Sequence, residues 1–239
     1  MNTINKLTEV DLKNKVMLQS FSGSGAVGTI LTSFLTKSLE MEQVAVLHPK
    51  NVAPVAIVKK GKIENPIRLF QSENFALMSC EVNIPYDELP EFLELLVDFY
   101  IKQGVSYIIP VAGLPVYQYE NDEAKCYGVA ADDATLDFLE DKGIELLDEG
   151  IIYGTIVETM ELCRARGFNN CFSLLTECDP VVPSYEPTKE ILLALGKLFG
   201  LEFNEEQYEE VTSVIKQRIA ESSKLIREET LDKTRESHL

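Results

Sequence analysis

Short apolar runs alternate along this chain with stretches in which apolar residues recur every three or four positions, and that alternation predicts strands interleaved with helices. Residues 15–21 (KVMLQSF) read as a strand, 22–28 (SGSGAVG) as a tight glycine-rich turn and 29–39 (TILTSFLTKSL) as a helix. Val44 to His48 and Val52 to Lys59 predict further strands, and Lys60-Gly61-Lys62 predicts a hairpin turn into an extended Ile63 to Phe70. Phe75 to Ile84 is too apolar for a surface loop and predicts a central strand. A helix then runs from about Asp87 to Lys102, with Tyr86 and Pro90 near its start and Gly104 after its end.

The second half repeats the pattern. Val105 to Val111 predicts a buried strand left through Ala112-Gly113-Leu114-Pro115, and the tyrosine- and acid-rich residues 116–133 predict strand or loop, with Cys126 to Ala130 extended. Helices are expected from Asp133 to Lys142, closed by Gly143, and from Thr155 to Arg166, closed by Gly167. Leu146 to Tyr153 is expected to be extended, Gly154 to turn, and Cys171 to Cys178 to form the last strong strand. A proline-broken loop from Asp179-Pro180 to Pro187 leads to a helix from Thr188 to Phe199. The fold class expected is α/β, with a mixed, largely parallel central sheet flanked by helices over residues 1–203.

From Asn204 the character changes. Asn204 followed by Gln207 has the form of a capping box, and Tyr208, Val211, Ile215, Ile219 and Ile226 recur at helical spacing among charges through about Arg235. A long amphipathic helical extension over 204–239 is expected, packed either on its own chain or on a partner.

The 239 residues are 45 % apolar, enough for one large domain with a sizeable core. The net charge of −17 opposes nucleic-acid and anionic-membrane partners and favours a basic surface on a protein. The opening MNTINKLTEVDLKNK has no apolar signal region, and no apolar run reaches the ~20 residues that span a bilayer, so a cytoplasmic location is expected. Cys80, Cys126, Cys163, Cys171 and Cys178 have no Cys-x-x-Cys spacing, and most of them are expected as reduced, buried residues. His48 and His238 lie in no metal-like cluster, so neither metal nor cofactor is expected.

The Gly23, Gly25, Gly28 string follows a strand and opens a helix, a place where backbone N–H groups can cradle phosphate, so Gly23, Ser24, Gly25 and Gly28 are a candidate anion or ligand turn. A dinucleotide would further need an acidic residue ending the next strand, where this chain has His48-Pro49-Lys50. A P-loop would need Gly-Lys-Ser/Thr, and the nearest lysine is Lys37. The bland reading is that these glycines allow a sharp turn and close helix packing. No histidine is placed to activate a serine or cysteine. Glu158 with Glu161, and Asp132 with Asp133, are carboxylate pairs of a kind that arises often in so acidic a chain. Tyr117, Tyr119 and Tyr127, among Glu120, Asp122 and Glu123, suggest an interface, as does the apolar stripe of Tyr208, Val211, Ile215 and Ile219.

The order of these pieces from Val16 to Tyr208 resembles the PAC2 family, the proteasome assembly chaperones with their archaeal and bacterial relatives. The resemblance rests on Ala26-Val27-Gly28 ending the first turn, the strand leading to Gly113, and Tyr127-Gly128 with its acids. It rests also on the Gly143 to Gly154 stretch before a helix, Leu174-Leu175-Thr176-Glu177 with Asp179-Pro180, and the exit Gly200-Leu201-Glu202. It implies an α/β fold similar to nucleoside phosphorylases, no established catalytic site, and an energy-independent role in holding proteasome α-subunits, or a related assembly chaperone, as a homo-oligomer. Some relatives end in a hydrophobic-Tyr-any tail that docks on the α-ring; this chain departs from it with Ser237-His238-Leu239. The alternative is an enzyme binding a nucleoside or phosphate ester, with Gly23 to Gly28 on phosphate and Glu158-Thr159-Met160-Glu161 loosely similar to a nucleoside-holding element.

Overall fold

The computed structural model describes residues 1–52, 54–59, 61–116, 124–214 and 216. Residues 1–202 form one compact unit, and a second begins at Phe203. The first unit is built on strands β1 (Thr3–Lys6), β2 (Val16–Phe21), β3 (Glu42–His48), β4 (Ile57–Lys59), β5 (Lys62–Glu64), β6 (Ile67–Gln71), β7 (Phe75–Cys80), β8 (Tyr107–Pro115), β9 (Cys126–Ala130), β10 (Glu145–Leu146) and β11 (Phe172–Cys178). Its helices are α1 (Val27–Ser38), α2 (Leu89–Gln103), α3 (Asp133–Asp141), α4 (Thr155–Ala165) and α5 (Tyr185–Phe199).

Nine strands form one mixed sheet in the order β1-β3-β6-β7-β2-β8-β11-β9-β10. The four at its centre, β7, β2, β8 and β11, run parallel. The side chains of β2, β7 and β11 are almost continuously buried, as are Ile108 to Val111 of β8, which is why these stretches read as apolar runs and not as alternating ones. Antiparallel pairings carry the sheet outward from this centre, through β6, β3 and β1 on one side and through β9 on the other.

Neighbouring residues of β2 show how helices cover both faces. The Gln19 amide donates to the Thr159 hydroxyl of α4 at 2.6 Å, while Ser20 meets α1 at Gly28. Successive strand side chains point to opposite faces, so α4, with α2 against it, and α1, with α5 against it, lie on opposite sides. A methyl group at Gly28 would collide with the Ser20 hydroxyl and lie 2.8 Å from the Phe21 carbonyl oxygen, so the glycine lets α1 ride close on β2. On the α5 side the rings of Tyr107, Phe138, Phe172 and Phe199 pack with centroids 5.1–6.4 Å apart.

Several expectations change. Gly113 lies inside β8, which runs on to Pro115, and the glycine is needed for packing: a Cβ there would meet Cys178 Sγ and stand 2.5 Å from the Ser24 carbonyl oxygen. The strand expected over Val52 to Lys59 shrinks to β4, paired only with β5 in a separate small sheet. Asn65-Pro66 divides the expected Ile63 to Phe70 strand into β5 and β6, because proline has no N–H for the ladder. Of the expected Leu146 to Tyr153 region only Leu146 lies in a strand, the two-residue β10 that begins at Glu145. Helix α5 starts at Tyr185, taking Pro187 into its first turn, where no intrahelical N–H bond is lost. β1, a polar edge strand, was not expected at all.

In the second unit the backbone is helical over 205–214, and the Gln207 N–H donates to Asn204 Oδ1 at 2.9 Å, the capping bond the sequence implies.

Candidate functional site

Strand order dictates where a cleft opens. After β2 the chain builds β3, β6 and β7 on one side, then α2 crosses to β8 on the other, so the winding direction reverses between β2 and β8. Beyond the carboxyl ends of parallel strands, at such a reversal, the loops diverge and leave a crevice. Here it has a volume of about 470 Å³. Phe21 to Ser24 leave β2 along one wall and Val111 to Pro115 of β8 form another. Val82 to Ile84, after β7, and Ile151 to Ile156, entering α4, close the remainder.

No charged side chain lines this cleft among the described residues, although the chain carries 39 acidic ones. Its polar groups are backbone amides and carbonyls, the hydroxyls of Ser22, Ser24, Tyr153 and Thr155, and the amide of Asn83. At the rim Ile151 and Tyr153 are 90 % and 79 % exposed. Such walls suit an apolar or uncharged group, and they bring together no pair of groups able to pass a proton between acid and base.

The turn over Gly23 to Gly28 divides in its tasks. Gly23 and Ser24 line the cleft, whereas Gly25 and Gly28 are turned into packing. Gly25 has φ +63°, and a Cβ there would lie 2.8–2.9 Å from Cys178 and from the Ser184 hydroxyl. Its carbonyl accepts from the Ser184 N–H at 2.8 Å, and the Ser184 hydroxyl accepts from the Asp179 N–H at 3.1 Å. Ala26 follows at φ +51°, left-handed backbone that costs a non-glycine residue about 1–2 kcal/mol. Gly23, at φ −171°, is extended, and nothing stands within 4 Å of a Cβ built on it. The bland reading therefore accounts for two of the three glycines, and the third opens on the cleft.

The other candidates lie elsewhere. Glu161 is held by Arg164 at 2.5 Å on the exposed face of α4, and Asp132 caps α3 by accepting from the Thr135 N–H at 2.8 Å. Tyr127 donates to Glu177 at 3.3 Å, and burial followed by the Glu177 charge pushes its hydroxyl up. Asp179 accepts from the N–H groups of Val182 and Val181, which hold its carboxyl below the usual range. Tyr208 and Val211 are buried in the helical segment of the second unit. Tyr117, Tyr119, Ile215 and Ile219 lie outside the described residues. Sequence reasoning missed Val82 to Ile84 and Ile151 to Ile156 as cleft walls; the apolar Ile151-Ile152-Tyr153 run before Gly154 was the available signal.

The thiols are guarded. Burial pushes Cys80 and Cys126 up to about 12 and Cys178 to about 11, and Cys171 is raised first by its hydrogen bond with Cys163 and then by burial. A thiol with a raised folded pKa keeps its proton after the unfolded chain, near 9.0, has lost it. Stability is then full below that value and falls as pH rises from about 9 toward 12. Denaturant midpoints should decline over that window, and Cys80→Ala should flatten the decline; an unchanged slope refutes this account.

Among the described residues no helix is long and apolar enough to cross a membrane, and no three His, Cys, Asp or Glu side chains gather as metal ligands do. A family model, the PAC2 family, matches residues 17–223. The uncharacterized protein MJ0106 of Methanocaldococcus jannaschii is 21 % identical over 213 residues, 89 % of this chain and 87 % of that protein. Pyrococcus furiosus PbaA, described as an archaeal homolog of proteasome-assembly chaperone, superposes with a TM-score of 0.80 at 21 % identity, covering 95 % of this chain and 99 % of PbaA. P. furiosus PbaB, described as an archaeal proteasome activator, superposes with a TM-score of 0.76 at 18 % identity, covering 95 % and 98 %.

Proposed function

This chain belongs to the PAC2 family, and on that premise we propose that it is a proteasome assembly chaperone-like scaffold that works as a homo-oligomer. It holds proteasome α-subunits, or a related assembly chaperone, through surface contact and without ATP, and it catalyses no reaction. The observation that carries this reading is the likeness over nearly the whole chain to PbaA and PbaB, whose descriptions concern the proteasome. Two features support it. The cleft at the usual ligand position of such a sheet has no charged lining among the described residues, and the −17 charge suits a basic face on a partner.

An archaeal proteasome α-subunit should be retained by the immobilised full-length chain and lost progressively as salt is raised. The experiment repeated on residues 1–203 tests the helical extension: weaker retention assigns it part of the contact. No retention by the full-length chain, at low or moderate salt, refutes the proposal.

The cleft volume favours a second reading, an enzyme acting on a nucleoside or phosphate ester. Thermal unfolding with phosphate and a panel of nucleosides separates the two. No shift is expected with either, and a rise of several degrees with one would favour the enzyme.

A further inference from the structure

Gly23 is the one glycine of its turn that neither packing nor backbone angle explains. Its φ of −171° is open to any residue, and a Cβ built on it meets nothing within 4 Å. It nevertheless lines the cleft, where a side chain would take up room. What the missing side chain preserves is open space.

The walls select by charge what can use that space. In this chain 26 % of the residues are charged, and among the described residues none of the twenty that line the cleft is. A phosphate or carboxylate would find no Lys or Arg partner there, and a cation no carboxylate. An uncharged group finds apolar walls with hydroxyl and amide groups set between them. A polypeptide has the matching composition: apolar side chains and, at nearly every residue, a backbone donor and an acceptor that must be paired when buried.

The rim separates a polypeptide from a small molecule. Ile151 and Tyr153 belong to the lining yet are 90 % and 79 % exposed, and Tyr86, two residues beyond the lining residue Ile84, is 85 % exposed. A small molecule taken into the cleft would leave these side chains in water. A protein segment that set apolar side chains in the cleft would cover the rim with its flanking residues, and exposed apolar surface continuous with a cleft marks this kind of contact.

We propose that the cleft takes up a short, uncharged, apolar segment of a protein partner, for which Gly23 keeps room and which Ile151, Tyr153 and Tyr86 flank. The proposal rests on the reading that this chain works by contact with another protein, and it names the place and chemistry of that contact.

Short blocked peptides test it on the full-length chain by saturation-transfer NMR titration. The panel sets a central pair drawn from Leu, Ile, Phe and Tyr among Gly and Ser, beside the same peptides with Lys-Lys or Glu-Glu at the centre. Apolar members should bind, and the charged ones at least about tenfold more weakly. Two variants accompany the unsubstituted chain: Gly23→Phe, at a position whose backbone accepts any side chain, and Ile151→Ser with Tyr153→Ser, at exposed positions. Circular dichroism checks that each is folded, and each should weaken the apolar peptides by at least about tenfold. No binding by any apolar peptide, equal binding of charged ones, or binding that either variant leaves unchanged overturns the proposal. A nucleoside bound where no peptide binds assigns the cleft to a small molecule instead, and self-association lost in Gly23→Phe without peptide binding assigns it to a second copy; both overturn it. Retention of the α-subunit is measured on the same variants. An α-subunit held equally by all three chains overturns this inference and leaves the proposed function standing, whereas peptides bound with no α-subunit retained do the reverse.

Discussion

Replacing Phe172 by alanine is expected to lower the unfolding free energy by about 3–5 kcal/mol, the range for removing a fully buried phenylalanine. Phe172 opens β11, opposite Ala130 of β9, and its side chain is wholly inaccessible. Its ring stacks with Phe199 of α5 at 6.4 Å and meets Tyr107 of β8 at 6.1 Å and Phe138 of α3 at 6.0 Å. One side chain therefore touches two helices and a neighbouring strand, and the space left by its loss cannot be refilled by moving any one of them. The check is a guanidinium unfolding curve with a lower midpoint and an unchanged slope. Phe172→Leu, which keeps most of the volume, should cost less than half as much. A loss below about 1 kcal/mol for alanine would mean that the four rings do not share one packed cluster.

Gly25→Ala should cost about 2–4 kcal/mol, combining left-handed backbone with an overpacked site. The new methyl group would stand 2.8 Å from Cys178 Cβ and 2.9 Å from the Ser184 hydroxyl, between the end of β11 and the segment that starts α5. Gly23→Ala, two residues away on the same turn, should change stability by less than about 0.5 kcal/mol, since its backbone is extended and its surroundings are open. The contrast separates two roles that the sequence string presents as one. A large cost at Gly23 would show that this residue is also part of the packing; a negligible cost at Gly25 would show that the turn relaxes freely away from β11.

Why these glycines could not be sorted from the sequence is a matter of distance along the chain. The neighbours that make Gly25 necessary are Cys178 and Ser184, more than 150 positions later. Gly113 was misplaced for the same reason: beside Pro115 it looks like a turn, yet it lies in β8 to let the Ser24 carbonyl and Cys178 approach. β1 went unseen because a strand on the rim of a sheet, paired on one side and wetted on the other, has little apolar periodicity to display. The Val52 to Lys59 run misled in the opposite direction, its β-branched residues signalling a strand where the sheet offers no partner.

What the amino-acid order determined by itself was local: the buried central strands, the helices α1, α2 and α4, and the turn from β2 into α1. Each is set by side chains within one or two turns of each other, through burial and capping. The succession of these pieces was also enough to place the chain in its family. Tertiary structure alone decided which strands became neighbours, and with that the cleft, whose walls are drawn from segments far apart in the sequence. Those features depend on contacts between residues tens to more than a hundred positions apart, and the strength of such contacts is settled only when the whole sheet has closed around its core.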